Sequence, residues 1–101
     1  MRKDVSVTVT PGVGITISPN GPIKVKKHQD TIEWKSTQKD QEFGIVLPPG
    51  EPPVSCGLQG SKWVCVAGPF HTEDLMRTIK YDVTAPNAPV LDPDIEIFPG
   101  A

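Results

Sequence analysis

The stretch VSVTVT, residues 5–10, decides the fold class, because apolar and polar side chains alternate in it without exception. Successive side chains of a β-strand point to opposite faces of the sheet, so this period places the valines on one face and the hydroxyl groups on the other. The stretch therefore predicts a strand with one buried face and one wet face. Pro11 and Gly12 break the pattern, and Ile15 and Ile17 then resume it.

Similar short segments recur along the rest of the chain, separated by turns rich in proline and glycine. They cover residues 23–26, 31–35, 43–47, 63–66, 79–83 and 91–97. The segment 63–66 is apolar throughout, which is typical of a strand that is covered on both faces. Apolar residues do not recur at helical spacing over three turns anywhere in the sequence. Seven to nine short strands with turns between them predict an all-β sandwich or barrel, as one domain over residues 1–101.

Charge and hydropathy argue against two classes of partner. The 101 residues carry a formal net charge of −2, and Lys24, Lys26 and Lys27 are the densest run of cations. Nucleic-acid binding needs a concentrated positive surface, so we expect no nucleic-acid partner and interpret these lysines as a solvated strand face. A membrane span needs about 18 apolar residues in succession, and the sequence has no such stretch.

The start of the sequence and its two cysteines leave the compartment open. Met1, Arg2 and Lys3 precede alternating valine and threonine, not the apolar run of a leader peptide. We expect a protein that is either cytoplasmic or exported after removal of a leader. Cys56 and Cys65 fit both cases, as a disulfide in an exported protein or as two thiols in a cytoplasmic one.

Three stretches resemble segments of cupredoxin-like domains. The sequence IKVKKHQDTIEW, residues 23–34, resembles a strand and turn that re-enter as a Thr-x-x-Trp strand, and FGIVLP, residues 43–48, resembles the core strand that follows. Residues 79–83 and 91–97 resemble the closing hairpin of small bacterial members of the family that carry no copper. The resemblance implies a Greek-key β-sandwich of cupredoxin-like fold from about Ile23 onward.

A copper site is an open alternative. Cys65, His71 and Met76 follow one another in the order of the Cys-His-Met loop that copper-binding cupredoxins carry. The histidine that this family places upstream is missing near residues 41–43, and His28 lies where the family has no ligand. Cu(II) in such sites needs a thiolate, two imidazoles and a weak thioether, so the set is incomplete, although Cu(I) accepts thiolate and thioether ligands.

Zinc is a second alternative for a metal. Its ligands would be Cys56, Cys65, His71 and, as a fourth, His28. Structural zinc sites usually contain closely spaced pairs of cysteines, whereas eight residues separate these two. We therefore commit to no metal or cofactor.

The same residues also have purely structural interpretations. Residues 57–61 contain two glycines and favour a turn, which would place Cys56 and Cys65 on adjoining strands within reach of a disulfide. Otherwise Cys65 is a buried thiol that packs as a small apolar side chain. Met76 is then core filler and His71 a residue of a surface loop.

We predict that the protein is not an enzyme. Cys65 and His71 are a formal nucleophile and base, but Cys65 lies in an apolar run where burial raises the pKa of a thiol. The sequence contains no phosphate-binding loop, serine elbow or metalloprotease motif. Two close acidic pairs, at residues 73–74 and 92–94, are interpreted as loop and turn residues.

A non-catalytic binding or accessory module with a protein partner is therefore the leading hypothesis. The proline-rich loop at residues 48–53 and the loop at residues 71–76 are its candidate recognition surfaces, since loops on a rigid sandwich commonly carry recognition. A copper-binding or electron-transfer protein is the first alternative, and a carbohydrate-binding or structural domain the second. Sugar stacking would need exposed aromatic side chains, whereas Trp34 and Trp63 occupy core-like positions in their strands.

Overall fold

Ten β-strands and no helix occupy residues 2–39, 41–72 and 75–99, which are the residues that this computed structural model describes. No helix in these ranges is therefore long and apolar enough to cross a membrane. The predicted all-β class is confirmed, with ten strands instead of seven to nine. The strands are β1 (Arg2–Thr10), β2 (Gly14–Ser18), β3 (Ile23–Lys26), β4 (Thr31–Ser36), β5 (Gly44–Val46), β6 (Val54–Gln59), β7 (Lys62–Ala67), β8 (Arg77–Lys80), β9 (Asp82–Thr84) and β10 (Asp94–Phe98).

The additional strands have local causes. Residues 79–83 are predicted as one strand, but the chain is divided there at Tyr81 into β8 and β9. Residues 57–59, predicted as part of a turn, continue β6, and the chain reverses at Gly60 and Ser61 instead. Gly60 has φ +65°, a conformation that glycine adopts without the penalty of a Cβ atom.

Three hydrogen-bonded sheets are formed, and their arrangement is compatible with a β-sandwich. The largest has the order β2-β1-β4-β7-β6, in which β1 and β4 run parallel and the other neighbours antiparallel. The second has the order β3-β10-β8, and the third pairs β5 with β9. Tyr81 joins β8 to β9. An isolated antiparallel bridge pairs Val83 of β9 with Leu91, which precedes β10. The two smaller sheets are thereby connected along one chain segment.

The buried faces of these sheets supply one hydrophobic core. Val5, Val7 and Val9 are all buried while their neighbours in β1 are more exposed, which confirms the strand predicted from VSVTVT. Ile32 and Trp34 face inward together, as the alternation in β4 predicts. The same core includes apolar side chains from the second and third sheets.

Strand register places several loops at one end of the molecule. Arg2 pairs with Thr31, and Ala67 pairs with both Ile32 and Val54, so β1, β4 and β6 begin at the end where β7 finishes. The turn at residues 27–30 and the segments 48–53 and 68–72 therefore lie together, at what we call the histidine end.

The opposite end carries a different set of turns. Val13 lies there, in the turn between β1 and β2, with 76% of its surface exposed. The backbone N–H of Gly12 donates to the carbonyl of Asn87 at 2.8 Å, so the turn before β10 reaches the same end.

A single hydrogen bond joins the largest sheet to the segment between β8 and β9. The indole Nε1–H of Trp34 donates to the hydroxyl of Tyr81 at 3.1 Å, and both side chains are buried. Their rings are 5.4 Å apart and tilted by 58°, within the range that aromatic pairs favour. Burial raises the pKa of Tyr81 to about 12.

We expect Tyr81 to make stability depend on pH in the alkaline range. The unfolded chain loses the phenolic proton near pH 10 and the folded protein near pH 12, so the free energy of unfolding should fall across this interval, by about 2–3 kcal/mol. Tyr81 is the only tyrosine of the chain, so absorbance at 295 nm reports its ionisation directly. Urea midpoints measured at pH 9 and pH 11.5 give the change in stability.

The Tyr81→Phe variant is the control, because lysines titrate in the same interval. It should lack the tyrosine contribution to the alkaline loss. It should also be less stable by about 1–3 kcal/mol at pH 7, because the buried indole N–H of Trp34 loses its acceptor. An ionisation midpoint near pH 10 in the folded protein would contradict the expectation.

Candidate functional site

The two loops predicted as recognition surfaces line a single groove at the histidine end. Residues 50–52 form one side, and residues 69, 71, 72 and 75–77 form the other, around a volume of about 850 Å³. The loops come from different sheets, since residues 48–53 lead into β6 and residues 71–76 lead into β8. Of the segment 71–76, Glu73 and Asp74 lie outside the described residues.

Arg77 connects the two sides of the groove. Its guanidinium donates to both carboxylate oxygens of Glu51, at 2.6 and 3.1 Å, and also to the backbone carbonyl of His71. The hydrogen bonds to Glu51 raise the pKa of Arg77 above its ordinary value. The Glu51 side chain is only 10% exposed, so this bidentate pair is shielded from water more than a surface ion pair is. The contacts fix the loop that carries Glu51 against the segment that begins β8.

Local hydrogen bonds shape each loop. The Oγ1–H of the buried Thr72 donates to the carbonyl of Leu75 at 2.6 Å, which holds these two residues together. In the other loop the N–H of Glu51 donates to the carbonyl of Pro48 at 3.2 Å, and Gly50 takes φ +89°. That turn depends on Gly50, since a side chain is strained at this φ.

Exposed apolar side chains stand at the groove. Leu75 is 79% exposed and Met76 is 48% exposed, next to Pro52 and Pro69. The core role proposed for Met76 is therefore wrong, and its sulfur accepts a hydrogen bond from Thr78 Oγ1 at 3.4 Å. Grouped apolar exposure of this kind marks interaction surfaces more often than isolated exposed residues do.

The structure also brings together two residues that are distant in sequence. His71 Nδ1 and His28 Nε2 are 3.2 Å apart, and both rings are exposed. The backbone N–H of His28 donates to the carbonyl of Phe70 at 2.9 Å, which holds the turn at residues 27–30 against the segment before His71. His71 is thus a surface loop residue, as predicted, with an imidazole partner that the sequence did not indicate.

The two cysteines form a disulfide across neighbouring strands. Cys56 in β6 lies directly opposite Cys65 in β7, with 4.0 Å between their Cα atoms. Cys65 is fully buried, whereas Cys56 is exposed. A sulfur in this bond supplies neither the thiolate of the copper alternative with His71 and Met76 nor the thiolates of the zinc alternative. Within residues 2–39, 41–72 and 75–99, no three or more His, Cys, Asp or Glu side chains are grouped to hold a metal ion.

The acidic pair near the last strand makes structural contacts. Asp94 in β10 forms an ion pair with Lys80 at 3.1 Å. A hydrogen bond with Asp92 raises the pKa of Asp82. The other acidic pair, Glu73 and Asp74, lies outside the described residues, so its interpretation as a loop stays a prediction.

All six aromatic side chains fall within the described residues, and each of them is buried or half-buried. Trp34, Phe43, Phe70 and Tyr81 are almost completely buried. Trp63 is half-buried in β7. These positions leave little aromatic surface for stacking on a sugar ring.

Sequence reasoning missed the residues that assemble the groove. Arg77 and Glu51 were not singled out, although Glu51 is the one charged residue of the loop at residues 48–53 and Arg77 directly follows the other loop. No pattern in the sequence pairs His28 with His71, because 43 residues separate them and the contact depends on the register of β3, β4 and β7.

Comparison with known proteins gives no match, either to a protein-family model or to a curated protein. Function is therefore inferred from the geometry of the chain itself.

We expect the disulfide to stabilise the protein by about 2–3 kcal/mol, because it closes a loop with a sequence separation of 9 and so restricts the unfolded chain. Dithiothreitol should lower the urea midpoint of the wild-type protein accordingly. A Cys56→Ser/Cys65→Ala double variant should have a lower midpoint that the reductant does not change. Identical midpoints for the reduced and oxidised wild type would contradict this role.

Breaking the link between Glu51 and Arg77 should loosen the groove. Glu51→Gln should cost about 1–3 kcal/mol of stability, since a shielded guanidinium loses its charged partner. Amide hydrogen exchange should accelerate at Leu75 and Met76.

Lys80→Gln is the matched control, because it removes one charge from an ion pair on the same strand whose lysine is 68% exposed. Its cost should be no more than about 1 kcal/mol. Equal exchange rates at Leu75 in the wild type and in Glu51→Gln would show that Arg77 does not hold the groove together.

Proposed function

We propose that this chain is a non-catalytic binding module that recognises a protein partner through the groove at the histidine end. One observation carries the proposal. The loops at residues 48–53 and 71–76, which belong to different sheets, are joined through Arg77 into one surface that exposes Leu75 and Met76. This arrangement supports a role in recognition, because it exposes grouped apolar side chains to water that a bound partner would cover.

The chemistry of the groove favours a protein segment with an apolar side chain. Leu75, Met76, Pro52 and Pro69 offer apolar contact, and the charge of Arg77 is already neutralised by Glu51. Methionine adapts its shape to a partner because its side chain is unbranched and its sulfur is polarisable. The hydrogen bonds within both loops hold the groove in place before binding, so little ordering entropy is lost there.

The competing functions have less support. A copper or electron-transfer site through Cys65, His71 and Met76 requires the reduced form of Cys65, which is bonded to Cys56. A carbohydrate-binding domain requires exposed rings, whereas the tryptophans are buried or half-buried.

We also propose that the fold is a Greek-key sandwich of the cupredoxin-like type. The strand order supports this, because β1 lies between β2 and β4 and runs parallel to β4, which requires a crossover between them. β3 provides the crossover, since it belongs to the second sheet, where it runs parallel to β10. Fold and function are separate proposals, since one fold serves many functions.

Substitutions in the groove should weaken capture of the partner. The tagged wild-type protein would be used to capture proteins from an extract of its own source, and each captured protein would be identified and purified for direct titration. Leu75→Asp and Met76→Asp should weaken binding at least about tenfold, because each places a charge in a desolvated apolar contact.

Val13→Asp is the matched control, since Val13 is 76% exposed, compared with 79% for Leu75, and lies at the opposite end of the molecule. It should bind the partner as the wild type does. Unchanged capture in both groove variants would refute the proposal. Loss of a dimer in Leu75→Asp, measured by analytical ultracentrifugation, would instead identify a second copy of this chain as the occupant.

A further inference from the structure

The only two histidines of the protein lie next to each other. His28 belongs to the turn between β3 and β4, and His71 follows β7, yet their Nε2 and Nδ1 atoms are 3.2 Å apart. Neither is part of a group of three or more His, Cys, Asp or Glu side chains among the described residues. The contact between Arg77 and Glu51 that forms the groove does not involve either imidazole ring. The pair is a feature that the proposed binding function leaves unused.

The distance between the two nitrogens determines what they can bind together. At 3.2 Å they are at hydrogen-bond distance, so one nitrogen carries a proton and the lone pair of the other accepts it. A metal ion can bind between the two nitrogens once that proton has moved to the other ring nitrogen of the donor imidazole, because each nitrogen then offers a lone pair. With metal–nitrogen distances of about 2.0–2.1 Å, a separation of 3.2 Å gives an angle at the metal of about 100–105°. This angle is close to tetrahedral.

The backbone around both rings is fixed by the fold. The N–H of His28 is bonded to the carbonyl of Phe70, and the carbonyl of His71 accepts from Arg77. Within the turn, the carboxylate of the buried Asp30 accepts from the N–H of Lys26 at 2.9 Å. The backbone of both ligands is therefore in place before a metal arrives, which reduces the entropy lost on coordination.

We propose that His28 Nε2 and His71 Nδ1 form a binding site for one divalent transition-metal ion of the kind that prefers imidazole, namely Zn²⁺, Ni²⁺ or Cu²⁺. Hard cations such as Mg²⁺ prefer oxygen ligands and do not bind there. The site uses no cysteine, so it forms with the disulfide intact, unlike the copper and zinc sets built on Cys65. Water fills the remaining coordination positions, because both rings are at the surface. Both imidazoles stay neutral on binding, because the proton between the two nitrogens moves to the other ring nitrogen of the donor.

This site does not depend on the proposed partner, although His71 also lines the groove. A metal ion would sit at the rim of the groove. Titration with metal alone therefore tests the site, and capture of the partner in the presence of a chelator tests the groove. Each proposal can fail while the other holds.

The decisive experiment is a titration of the oxidised protein with Zn²⁺ alone, followed by calorimetry and by the NMR signals of the imidazole rings. We expect one Zn²⁺ per chain and shifts at both histidines by one equivalent, with no response to Mg²⁺. His28→Asn is a suitable variant because His28 has φ 60°, a conformation that asparagine adopts more readily than most residues. His28→Asn and His71→Gln should each weaken Zn²⁺ binding by at least about tenfold.

Asp92→Asn is the control for binding of Zn²⁺ at carboxylates. Asp92 and Asp82 form a hydrogen-bonded pair of carboxyl groups, and this hydrogen bond raises the pKa of Asp82. The affinity of the Asp92→Asn variant for Zn²⁺ should equal that of the wild type. Absence of imidazole shifts in the wild type, or wild-type affinity in His71→Gln, would overturn the proposal. If near-ultraviolet circular dichroism shows that His28→Asn has lost its fold, the exposed His71→Gln variant decides the question alone.

Discussion

The hydrogen bond from Trp34 to Tyr81 is the contact on which the arrangement of the sheets depends. Trp34 belongs to the central strand of the largest sheet, and Tyr81 is the hinge residue between β8 and β9 of the two smaller ones. Both groups are buried, so leaving either without a partner costs more than the hydrogen bond itself contributes. A shift of the sheets that separated Trp34 from Tyr81 would leave both polar groups without this partner. Apolar packing alone would tolerate several relative placements of the sheets.

The contact between Trp34 and Tyr81 also affects the groove, because the two sides of the groove belong to different sheets. The loop that contains Glu51 leads into β6, whose Cys56 is bonded to Cys65 in the neighbouring strand. The segment with Leu75 leads into β8, which ends one residue before Tyr81. The disulfide therefore fixes one side, and the aromatic contact fixes the other. The hydrogen bonds between Arg77 and Glu51 then join these two sides directly.

The strands were predictable from sequence where the pattern of side chains is itself the cause of burial. In VSVTVT the period of two determines which residues face the core, and the valines of β1 are buried accordingly. The division at Tyr81 was not predictable, because it results from tertiary bonds: the hydroxyl accepts from Trp34, and the backbone N–H donates to Pro93 at 3.0 Å. A period-two pattern cannot contain that information.

The two loops of the candidate site were predictable as surfaces, because proline, glycine and polar residues mark them as turns. Their meeting was not, since Glu51 and Arg77 are 26 residues apart and His28 and His71 are 43 residues apart. Such contacts depend on the register of several strands at once, and each register is set by residues far from the loops.

The disulfide and the pair of histidines lie in two different environments. Cys65 is buried opposite Trp34 in the register of β4 and β7, whereas its disulfide partner Cys56 is exposed. His28 and His71 lie at the surface, where their rings are in contact with solvent. The order Cys65, His71, Met76 suggests a single site only when the sequence is considered without the fold. In the fold the sulfur of Cys65 lies in the core, where it is bonded to Cys56, and the imidazole of His71 lies at the surface beside His28.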